Sequence, residues 1–157
     1  MKPKRLFPLL IRWIATSSPV KKFSFEIQLM RWGTVHSRFI RKYFQRRIFY
    51  KYNCDISHSA DIHPSVIFPH PTGVVIGSNA VVEEGCFIYQ QVTIGGNFES
   101  DNLMAQVRKG THIGTGAKII GGIEIGSNCR VGANAVITKN LQANSLAVGV
   151  NKVIGTR

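Results

Sequence analysis

His70 is the residue of this sequence best placed to move a proton. It stands in Pro69-His70-Pro71-Thr72-Gly73, between two prolines. Flanking prolines withhold the backbone donors that a helix or central strand needs, so the position suits a loop rather than a core. Imidazole titrates near neutrality and can take up or release a proton under physiological conditions. The other histidines, His36, His58, His63 and His112, form no pair with metal-ligand spacing. Cys54, Cys86 and Cys129 are isolated, odd in number and lack CxxC spacing. That pattern argues against a disulfide framework or a zinc site and fits a reducing, cytoplasmic compartment, with each thiol a small buried hydrophobe. No metal is expected.

The segment that must position His70 has a period of six. Aliphatic or aromatic residues recur at Ile56, Ile62 and Phe68, then at Ile76, Val82, Ile88 and Ile94. The period resumes at Val107, Ile113, Ile119, Ile125, Val131 and Ile137. A small or β-branched residue often follows four places on, as at Ala80, Cys86, Val92, Ala117 and Ala135. A fixed six matches neither helical periodicity nor the alternation of an ordinary β-sandwich. It fits a solenoid in which each unit is one short strand and one turn, and three units close one triangular coil. The aliphatic residue points inward, and the next position, often Gly, is expected at the corner, where it tolerates unusual dihedrals and leaves room. The period slips by two residues at 69–73, where His70 lies, and breaks again at 95–104. Function concentrates where a regular scaffold is interrupted.

Residues 1–53 have a different texture. Positions 1–50 hold twelve basic residues and one acid, Glu26, whereas positions 51–157 hold eight basic and seven acidic residues. Two segments are expected: a basic helical one over 1–53 and the solenoid over 54–157. Residues 1–16 read as a short amphipathic helix, Thr16-Ser17-Ser18-Pro19 as a break, and 21–50 as helix divided at Gly33. Phe25, Leu29, Trp32, Val35, Phe39, Tyr43 and Phe44 recur at helical spacing. Two readings stay open: a cap whose aromatic face packs on the solenoid, or an interfacial helix in peripheral contact with a membrane. No nucleic-acid-binding motif is present, and no nucleic-acid partner is expected. No apolar stretch reaches the length of a spanning helix, and Pro8 and Arg12 interrupt the N-terminal one, so no signal peptide is read.

The stretches PHPTGVVIGSNAVVEEGCFIYQQVTIGG (69–96) and VRKGTHIGTGAKIIGGIEIGSNCRVGANAVI (107–137) resemble the serine acetyltransferase branch of the hexapeptide-repeat acyltransferases. The resemblance covers about residues 54–150. It implies an all-β main domain, a left-handed parallel β-helix with a short α-helical N-terminal segment. It implies acetyl-CoA as co-substrate, no metal, and a homotrimer with sites between neighbouring β-helices. It makes His70 the general base that accepts the proton of a hydroxyl acceptor. It pairs that base with an Asp fifteen residues upstream and followed by Ile, which is Asp55; Asp61, in the similar Asp61-Ile62-His63-Pro64, is the alternative. It places Gly96 beside the thioester, Thr115, Gly116 and Ala133 along the pantetheine channel, and Arg130 near the nucleotide phosphates.

The sequence also departs from that branch. Pro69 stands where the serine enzymes carry Asp, and Leu103 and Met104 stand where they carry Arg-His. Without those polar groups a zwitterionic acceptor loses its partners. In its Pro69-His70-Pro71 and Gly73 the chain is similar to short proteins with PHP-x-G that acetylate sugars in capsule, lipopolysaccharide or exopolysaccharide pathways. The reading is therefore an O-acetyltransferase with a sugar or glycan acceptor, lined by Phe98, Asn97 or Asn102. Serine O-acetylation is the alternative, a non-catalytic scaffold the second, and an antibiotic-modifying acetyltransferase a third.

Overall fold

The computed structural model describes residues 6–97 and 103–156. Three helices come first: α1 (Leu6–Ala15), α2 (Pro19–His36) and α3 (Arg38–Tyr52). Ser18 caps α2 by accepting from the Lys21 N–H, and Pro19 occupies the first turn, where a missing N–H costs nothing. The division between α2 and α3 falls at Ser37, not at Gly33. Gly33 stays inside α2, and a Cβ there would run into the backbone nitrogen of Arg41. The glycine thus lets α3 fold back closely on α2, while extended Ser37 ends one helix and caps the next.

Asn53, in the left-handed conformation, turns the chain out of α3 and into a triangular stack of coils. One sheet stacks β1 (Asp55–Ile56), β3 (Val75–Ile76), β6 (Thr93–Gly95), β9 (Lys118–Ile120) and β12 (Val136–Ile137). The second stacks β2 (Asp61–Ile62), β4 (Val81–Val82), β7 (Gln106–Val107) and β10 (Glu124–Ile125). The third holds β5 (Phe87–Ile88), β8 (His112–Ile113), β11 (Arg130–Val131), β13 (Ser145–Val148) and β14 (Lys152–Thr156). Among the described residues pairing is parallel throughout the stack except between β13 and β14, which pair antiparallel as a closing hairpin. This is the left-handed β-helix. Its register puts Ile56, Ile76, Ile94, Ile119 and Ile137 in one inward column, all essentially buried.

The corner chemistry differs in one respect from the expectation. Where the backbone turns left-handed it usually does so three residues after an inward aliphatic, as at Asn79, Gly85, Gly116, Asn128 and Asn134, not at the glycine directly following it. Asn is the non-glycine residue that best tolerates that region. The following glycine answers a demand for space instead: a Cβ on Gly114 would lie 2.7 Å from the Val131 carbonyl oxygen. The residue four places on is also inward, so Cys86, Thr111, Cys129 and Ser145 form a buried column of small side chains. Thr111 Oγ1 serves two coils there, donating to the Gly126 carbonyl at 2.8 Å and accepting from the Cys129 N–H at 3.1 Å.

The helices seal the first coil. Phe23 is fully buried, edge-on to Phe68 at 5.1 Å and to Tyr52 at 4.8 Å. A solenoid end exposes its core unless something polar outside and apolar inside covers it. The buried face of α2 is Phe23, Ile27, Leu29 and Met30, whereas Val35, Phe39 and Tyr43 from the aromatic stripe point to solvent. Arg47, from α3, closes on the buried Glu26 at 2.7 Å, and the Trp13 indole N–H donates to the same carboxylate at 2.9 Å. Burial, followed by the Glu26 charge, pushes the Tyr52 phenol up to about 12.

Candidate active site

The two-residue slip at 69–73 is a loop at the edge where the third sheet meets the first. Phe68 still fills its inward position, so His70 emerges two residues later at the corner, exposed. The loop is tied to the chain that leads into β1: the Gly73 N–H donates to the Tyr52 carbonyl at 3.3 Å, and the Asp55 N–H donates to Val74 at 2.9 Å. His70 and Asp55 are thereby held at the same end of the stack. Asp55 is exposed at the start of β1 and lines a small hollow with Lys42, Arg46 and Tyr50. Among the described residues neither the His70 imidazole nor the Asp55 carboxylate makes a side-chain hydrogen bond or ion pair. Both remain available to a ligand; catalytic hydrogen bonds often tighten only when substrate is bound.

Asp61, by contrast, is already engaged. Arg31 of α2 pairs with its carboxylate and also donates to the Ile62 carbonyl, fastening the helical cap to the first coil. His63 is bonded to Ser65 Oγ at 2.7 Å. His36 stacks on Trp32 and His112 on Phe87. Burial, then the Arg130 charge, holds the His112 imidazole below its ordinary pKa. We expect Asp55→Asn to lower kcat several-fold or more while Asp61→Asn leaves kcat near wild type and lowers Tm instead. Steady-state kinetics and a thermal melt of both variants check this, and the reverse ranking excludes Asp55.

The same corner offset repeats up the edge. Two residues past Phe68, Ile88, Ile113 and Val131 stand His70, Gln90, Thr115 and Ala133. Backbone bonds run up this edge, Gln91 N–H to Thr72 at 2.9 Å, Gly116 N–H to Gln90 at 2.9 Å and Asn134 N–H to Thr115 at 2.8 Å, so Thr72 stacks in line with Gln90, Thr115 and Ala133 while His70 sits in the slip two residues before it. Thr115, Gly116 and Ala133 therefore share one edge with His70, and exposed Arg130 lies on the adjoining third sheet. Gly96 does not join them. It follows β6 at the opposite edge of the first sheet, where the 95–104 excursion leaves, and Met104 Sδ lies 3.4 Å from where its Cβ would be. Phe98 and Asn102 lie outside the described residues; Asn97 is exposed beside Gly121. Gln90 was missed by reading motifs alone. Its amide oxygen is buried on the His70 edge without a partner among the described residues, and the offset of two from Ile88 was the signal that would have found it.

Comparison with known proteins agrees with this architecture. Residues 104–139 match the family described as bacterial transferase hexapeptide (six repeats), and residues 65–90 match the hexapeptide repeat of succinyl-transferase. A serine acetyltransferase of Buchnera aphidicola is 38% identical over 130 residues, which is 81% of this chain and 47% of that protein. The chain belongs to the hexapeptide-repeat transferases, in their serine acetyltransferase-like branch. A Brucella abortus serine acetyltransferase solved with coenzyme A superposes on this hexapeptide-repeat protein with a TM-score of 0.77 at 31% identity, covering 85% of this chain and 56% of that one. A Neisseria gonorrhoeae serine acetyltransferase solved with serine gives 0.79 at 25% identity, covering 94% and 66%. The present chain spans about half the length of the curated relative it matches.

Proposed function

We propose that this protein transfers an acetyl group from acetyl-CoA to a hydroxyl, with His70 as general base. The edge that carries the His70 loop together with Thr115, Gly116 and Ala133, beside Arg130, supports the reading. Small residues there leave a track along which an extended pantetheine chain fits, and Arg130 offers a charge-assisted contact for phosphate. In the reaction the acceptor oxygen attacks the thioester carbonyl carbon while His70 takes the hydroxyl proton. The oxyanion of the tetrahedral intermediate accepts a hydrogen bond from the Gly96 N–H. Collapse expels the coenzyme A thiolate, which recovers the proton from the imidazolium. Asp55 orients the ring and stabilises its charged form. No step requires a metal. Because Gly96 lies across the first sheet from His70, we assign the oxyanion contact to a neighbouring copy and take the working unit to be a homotrimer in the cytoplasm.

The acceptor divides two readings. Serine is supported by the names of the relatives described above; the sugar or glycan acceptor expected from the sequence has no such support. A specific observation still favours a neutral polyhydroxy acceptor. Leu103 is 59% exposed and Met104 packs over Gly77 and Gly96, so apolar groups stand where a zwitterion would need charged ones. Thiol release from acetyl-CoA should be measured with the purified full chain against serine, nucleotide sugars and neutral oligosaccharides. Saturable turnover with an O-acetylated product identifies the acceptor. Consumption of acetyl-CoA with none of them contradicts both readings.

A further inference from the structure

The helical layer leaves uncovered the kinds of residue that a soluble surface ordinarily avoids. On α1, Phe7, Ile11 and Ile14 recur at four and three residues and are 74%, 56% and 69% exposed. On α3, Phe39, Lys42, Tyr43, Arg46 and Tyr50 share one stripe, with Phe39 88% and Tyr50 77% exposed. The stripe borders a shallow hollow of about 820 Å³ with Arg47 and Lys51. Trp13 meets Phe44 edge-on at 5.4 Å, so both rows belong to one layer. Between Leu6 and Tyr52 there are ten basic residues and one acid, Glu26, which is buried and already paired. Lys42 and Arg46 have no ion-pair partner among the described residues.

We propose that this face of α1 and α3 docks on an anionic lipid bilayer. A water-exposed face gains nothing from rows of uncovered Phe, Ile and Tyr, and patches of that kind mark contact surfaces. A second copy of the same face would bring cations against cations. A nucleic acid accounts for the cations but not for the aliphatic row on α1. An anionic bilayer accounts for both, since aromatic and aliphatic side chains enter the headgroup boundary while Lys and Arg meet phosphate. The contact is peripheral: no described helix is long and apolar enough to cross a membrane. The smaller hollow shared by Lys42, Arg46, Tyr50 and Asp55 sets the docking face beside the first coil, so docking brings the Asp55 end of the solenoid close to the lipid surface.

Co-sedimentation of the full chain with phosphatidylcholine vesicles, with and without phosphatidylglycerol, tests this. Wild type should bind only the phosphatidylglycerol vesicles, and salt should weaken binding. Lys42→Glu with Arg46→Glu should weaken it by about tenfold or more, since each interfacial cation contributes about fivefold. Phe39→Ser with Tyr50→Ser, both at exposed positions, should lose vesicle binding yet keep any affinity for heparin, which offers charge without an apolar layer. No binding to phosphatidylglycerol vesicles at low salt overturns the proposal. So does unchanged vesicle binding by the Phe39→Ser, Tyr50→Ser variant, which would leave only a polyanion site. A change of oligomeric state in the charge-reversed variant by analytical ultracentrifugation also overturns it, because the face would then be a contact between copies.

Discussion

Replacing His70 with alanine should lower kcat by about 10²–10⁴-fold, the range lost with a general base. The KM for acetyl-CoA should change little, because Thr115, Gly116, Ala133 and Arg130 lie above His70 on separate coils. The substitution also leaves the fold intact. His70 is exposed and its side chain makes no hydrogen bond within the described residues, so Tm should stay at the wild-type value. His63→Ala is the matched control. It removes a histidine that is bonded to Ser65 on a different edge of the same coil, and it should leave kcat unchanged. Steady-state kinetics on the three proteins separates a base from a bystander. A fully active His70→Ala enzyme removes His70 from the mechanism.

The largest effect on stability should come from the pair beneath the helical layer. Glu26 is fully buried, held by Arg47 at 2.7 Å and by the Trp13 indole N–H. Arg47→Met leaves that carboxylate without its cation in a desolvated site. Breaking a buried pair from one side costs about 3–5 kcal/mol, and because Arg47 is partly open to solvent the lower end, about 3 kcal/mol, applies. For a chain of this size that lowers Tm by roughly 6–12 °C. Adding Glu26→Gln should recover most of the loss, since the neutral amide still accepts from Trp13 and no charge is left buried. Thermal melts of the single and double variants measure this; equal destabilisation in both would show that packing of the Arg47 stem, and not the stranded charge, sets the cost.

The solenoid was legible because its physics is periodic. Every inward position read from the sixfold repeat, from Ile56 to Ile137, is buried, since one shifted residue would turn a whole column outward. The corner was only half legible. A glycine following an isoleucine suggests conformational freedom, yet Gly114 and Gly126 are required for close coil approach, and the left-handed turns lie two residues further on, often at asparagine. The helical phase was not legible at all. Apolar and aromatic residues occur on more than one side of α2 and α3, so spacing alone did not say that Phe23, Ile27 and Phe44 face inward while Phe39 and Tyr43 face out. At the site, His70 stood out because it breaks the period. Gln90 did not, because it sits within a regular repeat and only the corner offset links it to His70.

A crystal structure of the full chain with coenzyme A bound tests the central claim most directly. A homotrimer is expected. The pantetheine chain should run along the edge formed by Thr115, Gly116 and Ala133, its thiol near His70 and its phosphates near Arg130, with Gly96 of a neighbouring copy facing the sulfur. Coenzyme A bound away from that edge, or bound to a monomer with His70 facing open solvent, would contradict it.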